Sequence, residues 1–413
     1  MRIRIRREVK EVMDIIESKG YSVYVVGGAV RNQLLGIPIS DWDLTTNAKP
    51  MELIEIFNKE KIHFIPTGAQ HGTITVYYKG LNIEVTTFRI DGNYSDSRRP
   101  DRIYYTDDLK QDLSRRDFTI NALAYNYRNG LIDYFNGVKD IREKRIRCVG
   151  SPKDRFEEDA LRMLRAIRFA NTLNFTLDTD SDLEFCIRIL RERIDNVSME
   201  RVQVEFNKIL TTGHEIRYFD LLLCLFPNLF SNNAKKNIFL CNIFLNKMNE
   251  KDFVKNLTSL FLYDILNIEF LEKLKYSNSI IKKIKNLKNC YSAIQSHGQD
   301  FLQDKDTVDY ILKKYLLNKY DLQTILDANS IIYVQNSIRL EQISSFQESL
   351  VRIEKKNDPI LIKDLAVNGE DLKKICHSGI EIGKALEIAQ EYVWKHPEKN
   401  KKDILLNFLK TFF

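Results

Sequence analysis

The period of the apolar residues changes once along this chain, near residue 150, and that change limits the fold more than any other feature. Before it, short β-branched runs alternate with helical patterns. Tyr21 to Val26 (YSVYVV) predicts a strand and Ala29 to Leu35 a helix. Thr73 to Tyr78 (TITVYY) and Leu81 to Phe88 (LNIEVTTF) predict two strands joined by a tight Lys79-Gly80 turn. After Ser151 the strand signal fades. Ala160, Leu161, Leu164, Ile167 and Ala170 keep helical spacing, as do Leu183, Ile187 and Leu190. Ser151-Pro152 marks a boundary, since proline suits the first turn of a helix. The pattern predicts a small head of mixed sheet and helices, then a long all-helical body. No fixed-period repeat is present.

With 413 residues the chain has room for roughly two to four domains. Only 16 Gly and 8 Pro leave little scope for a long flexible linker. The amino terminus, MRIRIRREVKEVMDIIESKG, is charged and amphipathic and lacks the apolar core of a signal peptide. The most apolar stretch, Phe219 to Phe230, is far shorter than the ~18 residues of a membrane span and holds Asp220 and Pro227. A cytoplasmic protein with no membrane association is expected. The six cysteines (148, 186, 224, 241, 290 and 376) are scattered without a CxxC pair, which predicts reduced thiols. The histidines are scattered too, which disfavours a zinc site. A net charge of +6 is compatible with a polyanionic partner and becomes evidence only beside a phosphate-handling site.

Such a site is readable near the amino terminus. Gly27-Gly28-Ala29-Val30-Arg31 follows the first strand directly. Paired glycines let the backbone turn sharply and approach a ligand closely. The free amides and dipole at the following helix start suit a phosphate, with Arg31 adding charge. Asp41-Trp42-Asp43-Leu44 comes next. On a strand, Asp41 and Asp43 share one face while Trp42 and Leu44 take the other. Two adjacent carboxylates repel unless a cation lies between them, and hard oxygen ligands suit Mg²⁺. A lone DxD is commonly two solvated acids; the apolar Trp42 and Leu44 and the upstream glycine turn favour the ligand reading. A third acid, Glu84, stands in LNIEVTTF, where Ile83 and Val85 face one way and Asn82, Glu84 and Thr86 the other. It can complete a metal site if the strand before it pairs beside Asp41–Asp43; otherwise it is an edge charge against aggregation. The trio predicts in-line phosphoryl chemistry with two metals about 4 Å apart. No P-loop and no Ser-His-Asp or Cys-His arrangement competes.

Taken in order, these residues resemble the bacterial tRNA nucleotidyltransferase and poly(A) polymerase family of the polymerase β-like superfamily. The resemblance is carried by GGAVRN (Gly27 to Asn32), DWD (Asp41 to Asp43), TGAQHGTITV (Thr67 to Val76) and EVTTFR (Glu84 to Arg89). It continues through Asp91 to Tyr105, LSRRDFTINALAYN (Leu113 to Asn126), RFEEDALRMLRAIRF (Arg155 to Phe169) and VSMERVQVEF (Val197 to Phe206). Asn32 departs from it, since the family usually has Asp there. The resemblance implies an α+β fold: a polymerase β-like head over 1–150, a neck that recognises the base over 151–215, a body over 216–355 and a tRNA-binding tail over 356–413. It implies Asp41, Asp43 and Glu84 as catalytic metal ligands for Mg²⁺. Gly28, Arg31, Arg116, Asp117, Asn121, Glu158, Asp159, Arg162 and Arg165 would meet the nucleotide, with Arg115 also near its phosphates and ribose. The guanidinium fork fits phosphate oxygens and an acid can hold a ribose hydroxyl. The competing reading of Ser114 to Asp117 is a solvated helix cap with Ser114 as N-cap.

Glu158-Asp159-Ala160-Leu161-Arg162 has its own logic. On a helix, Asp159 and Arg162 share a face, and Glu158 stands four residues before Arg162 to orient it. Asp accepts hydrogen bonds and Arg donates them. Cytosine and adenine both offer an amino donor beside a ring-nitrogen acceptor, whereas uracil and guanine reverse that order. One Asp–Arg pair thus selects C and A without a nucleic-acid template, and the family is known for this use of the segment. The competing reading is an ordinary helical salt bridge worth ~0.3–0.5 kcal/mol. The polar loop Asp91 to Tyr105, with Arg89, Arg98, Arg99 and Arg102, corresponds to the family's flexible loop, whose presence implies competence for the final A.

Asp364 to Lys374 (DLAVNGEDLKK) and Ser378 to Glu387 resemble the carboxy-terminal segment of the CCA-adding branch. The family's optional HD domain has no His-Asp dipeptide here to support it. Lys273 to Lys288 reads either as one tRNA-binding helix, through Lys273, Lys275, Lys282, Lys283, Lys285 and Lys288, or as a solvated amphipathic one. The expected activity is CCA addition to tRNA from CTP and ATP, with no DNA partner. The alternatives are CC-only or A-only addition, poly(A) synthesis, or a non-catalytic RNA-binding protein.

Overall fold

The computed structural model describes residues 3–66, 68–92, 102–212, 215–248, 251–267, 269–335 and 340–413. The loop residues Arg98 and Arg99, and Thr67 of the TGAQHGT motif, lie outside them. The chain divides into two compact units. One holds 1–212, 216–230 and 272–275, and the other holds the remaining residues.

The first unit opens with α1 (Arg7–Ser18), whose apolar face buries Val9, Val12, Met13 and Ile16. Then come β1 (Val23–Val26), α2 (Gly28–Leu35), β2 (Trp42–Thr46), α3 (Pro50–Lys59), β3 (His63–Ile65), β4 (Thr73–Tyr78) and β5 (Leu81–Thr87). A small hairpin, β6 (Arg89–Asp91) with β7 (Ile103–Tyr105), precedes α4 (Leu109–Ser114). The strands β8 (Leu123–Asn126) and β9 (Gly130–Asp133) follow. Among the described residues, seven strands form one sheet in the order β3-β4-β5-β2-β1-β8-β9. All its pairs are antiparallel except β2 with β5. The predicted Lys79-Gly80 turn is present, with φ of 46° and 82° at its two residues, the left-handed pair that a two-residue hairpin needs.

One expectation is corrected here. The strand beside Asp43 is β5, which carries Glu84 itself, and not β4 before it. A parallel partner requires a crossover, and the α3–β3–β4 segment supplies one. The inner position also suits β5, because Ile83, Val85 and Thr87 on one of its faces are fully buried.

The unit continues with α5 (Gly137–Arg142), β10 (Arg145–Ile146), α6 (Pro152–Glu158), α7 (Leu161–Leu173), β11 (Thr176–Leu177), α8 (Leu183–Ile189), α9 (Met199–Leu210) and α10 (Phe219–Leu225). Ser151 caps α6 by accepting from the Asp154 amide at 3.4 Å, and Pro152 occupies its first turn. Nearly all of α7 is buried, and Phe169 meets Phe118 edge-on at 5.6 Å. The helix ends between α6 and α7, with Asp159 extended at φ −141° and ψ 103°. Asp159 and Arg162 therefore do not share one continuous helix, contrary to the sequence reading. Intrinsic propensity at Asp is weak, and its side chain instead accepts from the Leu161 amide at 3.1 Å to start α7. Ser114 likewise closes α4 instead of capping a new helix, its hydroxyl donating back to the Gln111 carbonyl at 2.7 Å.

The second unit is helical among its described residues. It contains α11 (Ala234–Met248), α12 (Phe253–Leu262), the start of α13 (Phe270–Lys273), α14 (Asn278–Ser296), α15 (Lys305–Leu312), α16 (Leu322–Gln335), α17 (Leu340–Lys356), α18 (Gly369–Leu372), α19 (Gly379–Lys395) and α20 (Lys402–Leu409). Val367, Leu372, Ala385, Ala389, Val393, Leu405 and Leu409 form a core near its end. The lysines from 273 to 288 do not lie on one helix. Lys275 is left-handed (φ 56°) and pairs with Glu200 at 2.7 Å, and α14 begins only after the Ser277 cap. On α14, Lys282, Lys283 and Lys285 are exposed, opposite the buried Ile284 and Leu287.

Candidate active site

The parallel register places Asp43 directly beside Glu84 in the sheet, and Asp41 precedes β2 by one residue. The pleat works as the alternation demanded: Trp42 and Leu44 are buried, Asp43 is half-buried, and Asp41 and Glu84 are exposed. Ser40 donates its hydroxyl to Asp41 Oδ2 at 2.8 Å. Burial pushes the Asp43 carboxyl up to about 6, and the nearby Glu84 and Asp41 charges push the same way against the pull of Arg116. A carboxyl in that state gains most from a cation. Among the described residues, no three His, Cys, Asp or Glu side chains close into a metal cage by themselves. The oxygen-only donor set still fits a hard divalent ion, which takes a few carboxylates and fills its shell with phosphate and water oxygens.

The glycine turn is built around Arg116. Gly27 has φ 67°, and a Cβ added there would lie 2.9 Å from Arg116 Nη1. Glycine is thus required for both conformation and space. Gly28 opens α2, whose first amides are free of helical partners. The Arg116 Nε is buried without a hydrogen-bond partner among the described residues, a donor that a phosphate oxygen would satisfy. Beneath it, the fully buried Asp112 accepts from Thr45 Oγ1 at 3.0 Å and from Arg115 Nη2 at 2.7 Å. Burial raises the proton affinity of Asp112, but Arg115 and Arg116 outweigh it and hold the carboxyl below the usual range. Asp112 thereby ties α4 and its arginines to the strand of Asp43.

A second cluster surrounds Phe169. The guanidinium carbons of Arg168, Arg31 and Arg165 lie 3.5, 5.0 and 5.5 Å from its ring centre. Arg31 donates to Asn121 Oδ1, and to Asn32 Oδ1 at 3.1 and 2.9 Å. The Asn32 amide nitrogen donates to the Pro38 carbonyl at 3.3 Å, which an Asp at that position could not do. Arg165 makes a two-point contact with Asp117 Oδ2 at 2.9 and 2.6 Å, and Asn121 donates to Asp117 Oδ1 at 3.0 Å. Burial alone would raise the Asp117 carboxyl; Arg165 and Asn121 overcome it and hold it far below the ordinary range. Burial also pulls Arg31 and Arg168 down to about 10.

The residues expected to read the base surround the break between α6 and α7: Glu158 ends α6, Asp159 lies in the break and Arg162 is in the first turn of α7. Arg162 donates to Glu158 Oε2 at 2.5 Å, to the Arg155 carbonyl at 3.2 Å and to the Arg115 carbonyl at 2.9 Å. Glu158 thus orients Arg162, while the Arg115 contact joins this segment to the phosphate-side arginines. Several neighbours were not assigned roles from the sequence. Glu205, 4% exposed, pairs with Arg168 at 2.5 Å and Arg165 at 3.5 Å. Arg201 pairs with Asp159, and Lys208 lies within electrostatic reach of Asp41 and Glu205. All three sit on α9, at or just beyond the VSMERVQVEF motif. The helical period does place 201, 205 and 208 on one face, which is the signal that could have found them.

Comparison with known proteins adds three profile matches. They are the poly A polymerase head domain over 23–147, a "probable RNA and SrmB-binding site of polymerase A" over 175–225, and tRNA nucleotidyltransferase domain 2 over 256–409. The CCA-adding enzyme of Staphylococcus epidermidis is 34% identical over 374 residues, covering 89% of this chain and 88% of the relative. That of Lactobacillus johnsonii is 32% identical over 418 residues, covering 96% and 95%. The crystal structure of the Bacillus stearothermophilus CCA-adding enzyme in complex with CTP superposes with a TM-score of 0.78 at 26% identity, covering 98% of both chains.

Proposed function

The chain belongs to the CCA-adding enzyme family, and from that premise we propose that it adds C, C and A in turn to the 3′ end of tRNA, using CTP and ATP and no nucleic-acid template. The observation that carries the reading is the parallel register of Asp43 against Glu84, with Asp41 alongside and the Gly27–Arg116 cradle behind. A pure RNA-binding protein has no use for two acids placed beside a half-buried Asp43 whose own carboxyl is already pushed up by burial.

In this reading Asp41, Asp43 and Glu84 hold the divalent ion, Mg²⁺. When bound, the ion supplies Lewis-acid activation of the 3′-hydroxyl and charge neutralisation at the phosphates. Arg116 and the first amides of α2, from Gly28, hold the triphosphate. Asp117 and Asn121 face the ribose, kept in place by Arg165 and Arg31. The tRNA 3′-oxygen forms its bond to the α-phosphorus as the bond to the β-phosphate oxygen breaks, and pyrophosphate leaves. Asp159 accepts from the base amino group and Arg162, oriented by Glu158, donates to the ring nitrogen, so C and A are taken and U and G refused. We assign 1–150 as the catalytic head, 151–215 as the neck, 216–355 as the body and 356–413 as the tRNA-binding tail. The exposed lysines of α14 are suited to phosphate contacts, which bring affinity without sequence reading. Six unpaired cysteines support a reducing compartment, the cytoplasm. Among the described residues no helix is long and apolar enough to cross a membrane.

The test is direct. Transcripts of tRNA ending before A, CA or CCA are incubated with Mg²⁺ and with CTP, ATP or both together, and product lengths with both nucleotides are read on a gel. Completion to CCA and no further is expected. Long A tails would instead indicate a poly(A) polymerase, products ending at CC a partial enzyme, and no extension a binding protein. Asp41→Ala should abolish extension with an unchanged circular-dichroism spectrum; full activity in it would refute the metal assignment.

A further inference from the structure

The break between α6 and α7 leaves Asp159 without the support that a continuous helix would give it. A side chain on a helix inherits its direction from a stiff backbone. At Asp159 the backbone is extended instead, between the end of α6 at Glu158 and the start of α7 at Leu161. Two partners restrain its carboxylate. The Leu161 amide donates to Oδ1 at 3.1 Å, and Arg201 Nη2 donates to Oδ2 at 2.9 Å. The ion pair is largely shielded, with side-chain exposures of 25% for Arg201 and 16% for Asp159. The other terminal nitrogen of Arg201, Nη1, is buried without a hydrogen-bond partner among the described residues. Asp159 is therefore the acceptor that gives this guanidinium its direction.

We propose that Arg201 is a specificity-positioning residue: it holds the Asp159 carboxylate in the orientation that accepts the amino group of cytosine or adenine. The inference rests on the base-reading role given above to Asp159 and Arg162. Each carboxylate oxygen can accept about two hydrogen bonds, so the Leu161 amide and Arg201 occupy one site on each and leave one open. With both oxygens anchored, neither side-chain torsion is free. A fixed, charged acceptor favours an amino group and repels the carbonyl that uracil or guanine presents at the same place. With Arg201 removed, only the local amide contact remains and the carboxylate can turn aside. The penalty on the wrong base then falls. Binding of the right base weakens as well, and because base contacts persist from ground state to transition state, KM should change more than kcat.

The experiment compares kcat/KM for UTP and CTP on a tRNA transcript lacking CCA, in the full-length protein with Mg²⁺. Arg201→Met keeps the apolar stem and removes the donors. The UTP-to-CTP ratio should rise by about tenfold or more, as expected for a charge-assisted hydrogen bond lost. The KM for CTP should rise more than kcat falls, and tRNA affinity should hold. Arg201→Lys keeps one donor and should give an intermediate ratio, a graded response that a purely structural role would not produce. Adding Arg201→Met to Asp159→Ala should relax selectivity no further than Asp159→Ala alone. A parental ratio in every Arg201 variant that retains the parental melting temperature overturns the inference. If Asp159→Ala itself keeps the parental ratio, the base-reading role fails first, so the two failures are distinguishable.

Discussion

Replacing Asp43 with asparagine should stabilise the metal-free protein while it removes nucleotide addition. Burial lifts the Asp43 carboxyl from 3.8 to about 6, with Glu84 and Asp41 adding to the lift. A tenfold change in proton affinity is worth about 1.4 kcal/mol, so the charged form destabilises the folded head by roughly 2–3 kcal/mol above pH 6. The sign is set by proton binding. Between about pH 4 and 6 the folded state binds more protons at this position than the unfolded state, so stability is lost as pH rises through that window. Below it both states are protonated and the effect vanishes. Asparagine mimics the neutral form, so its advantage should be full at pH 7.5 and should fade towards pH 4. The chain has two tryptophans, and Trp42, buried next to Asp43, belongs to the first unit while Trp394 belongs to the second. In a Trp394→Phe background, fluorescence during urea unfolding in EDTA reports the head alone. Asp43→Asn should raise the midpoint at pH 7.5, with a melting shift of about 4–10 °C. Added Mg²⁺ should narrow the gap by stabilising the parent more. A stability difference that does not vary from pH 4 to 7.5, or a less stable variant, would refute this account of the carboxylate site.

Asp117→Asn should behave in the opposite sense. Because Arg165 and Asn121 hold the Asp117 carboxyl below its ordinary range, its contribution is present at neutral pH and is lost as pH falls through the acid range. The variant should melt earlier at pH 7, with the gap closing in acid by differential scanning calorimetry. Glu205→Gln leaves the buried Arg168 with a weakened partner and should lose ~3 kcal/mol in urea unfolding. Gly27→Ala places a Cβ 2.9 Å from Arg116 Nη1 in a left-handed conformation, and should lose ~1–2 kcal/mol of stability. Its KM for CTP should also rise, and an unchanged KM would show that Arg116 does not hold the triphosphate.

Much of the head was legible because strand and turn signals are local. The β4–β5 hairpin matches its reading to within a residue, since β-branched alternation and a Lys-Gly turn act over neighbouring positions. The glycine turn was legible for the same reason. The break at Asp159 was not, because the EDALR spacing is compatible with a helix and only the local cap at the Leu161 amide, with the distant Arg201, decides against it. The lysines from 273 to 288 misled in the same way: their period suits one helix, yet Lys275 takes a left-handed turn beside Glu200.

What the residue order alone settled is the kind of chemistry. Carboxylates at 41, 43 and 84, a paired-glycine turn and an arginine-rich segment belong to side-chain chemistry, which survives in a one-dimensional reading. Which strand brings Glu84 to Asp43, and which arginine restrains Asp159, were settled only by tertiary structure. Those are pairings between segments some forty residues apart, chosen by how a whole sheet and a buried helix minimise unpaired charge and exposed apolar surface, and no local pattern encodes that choice.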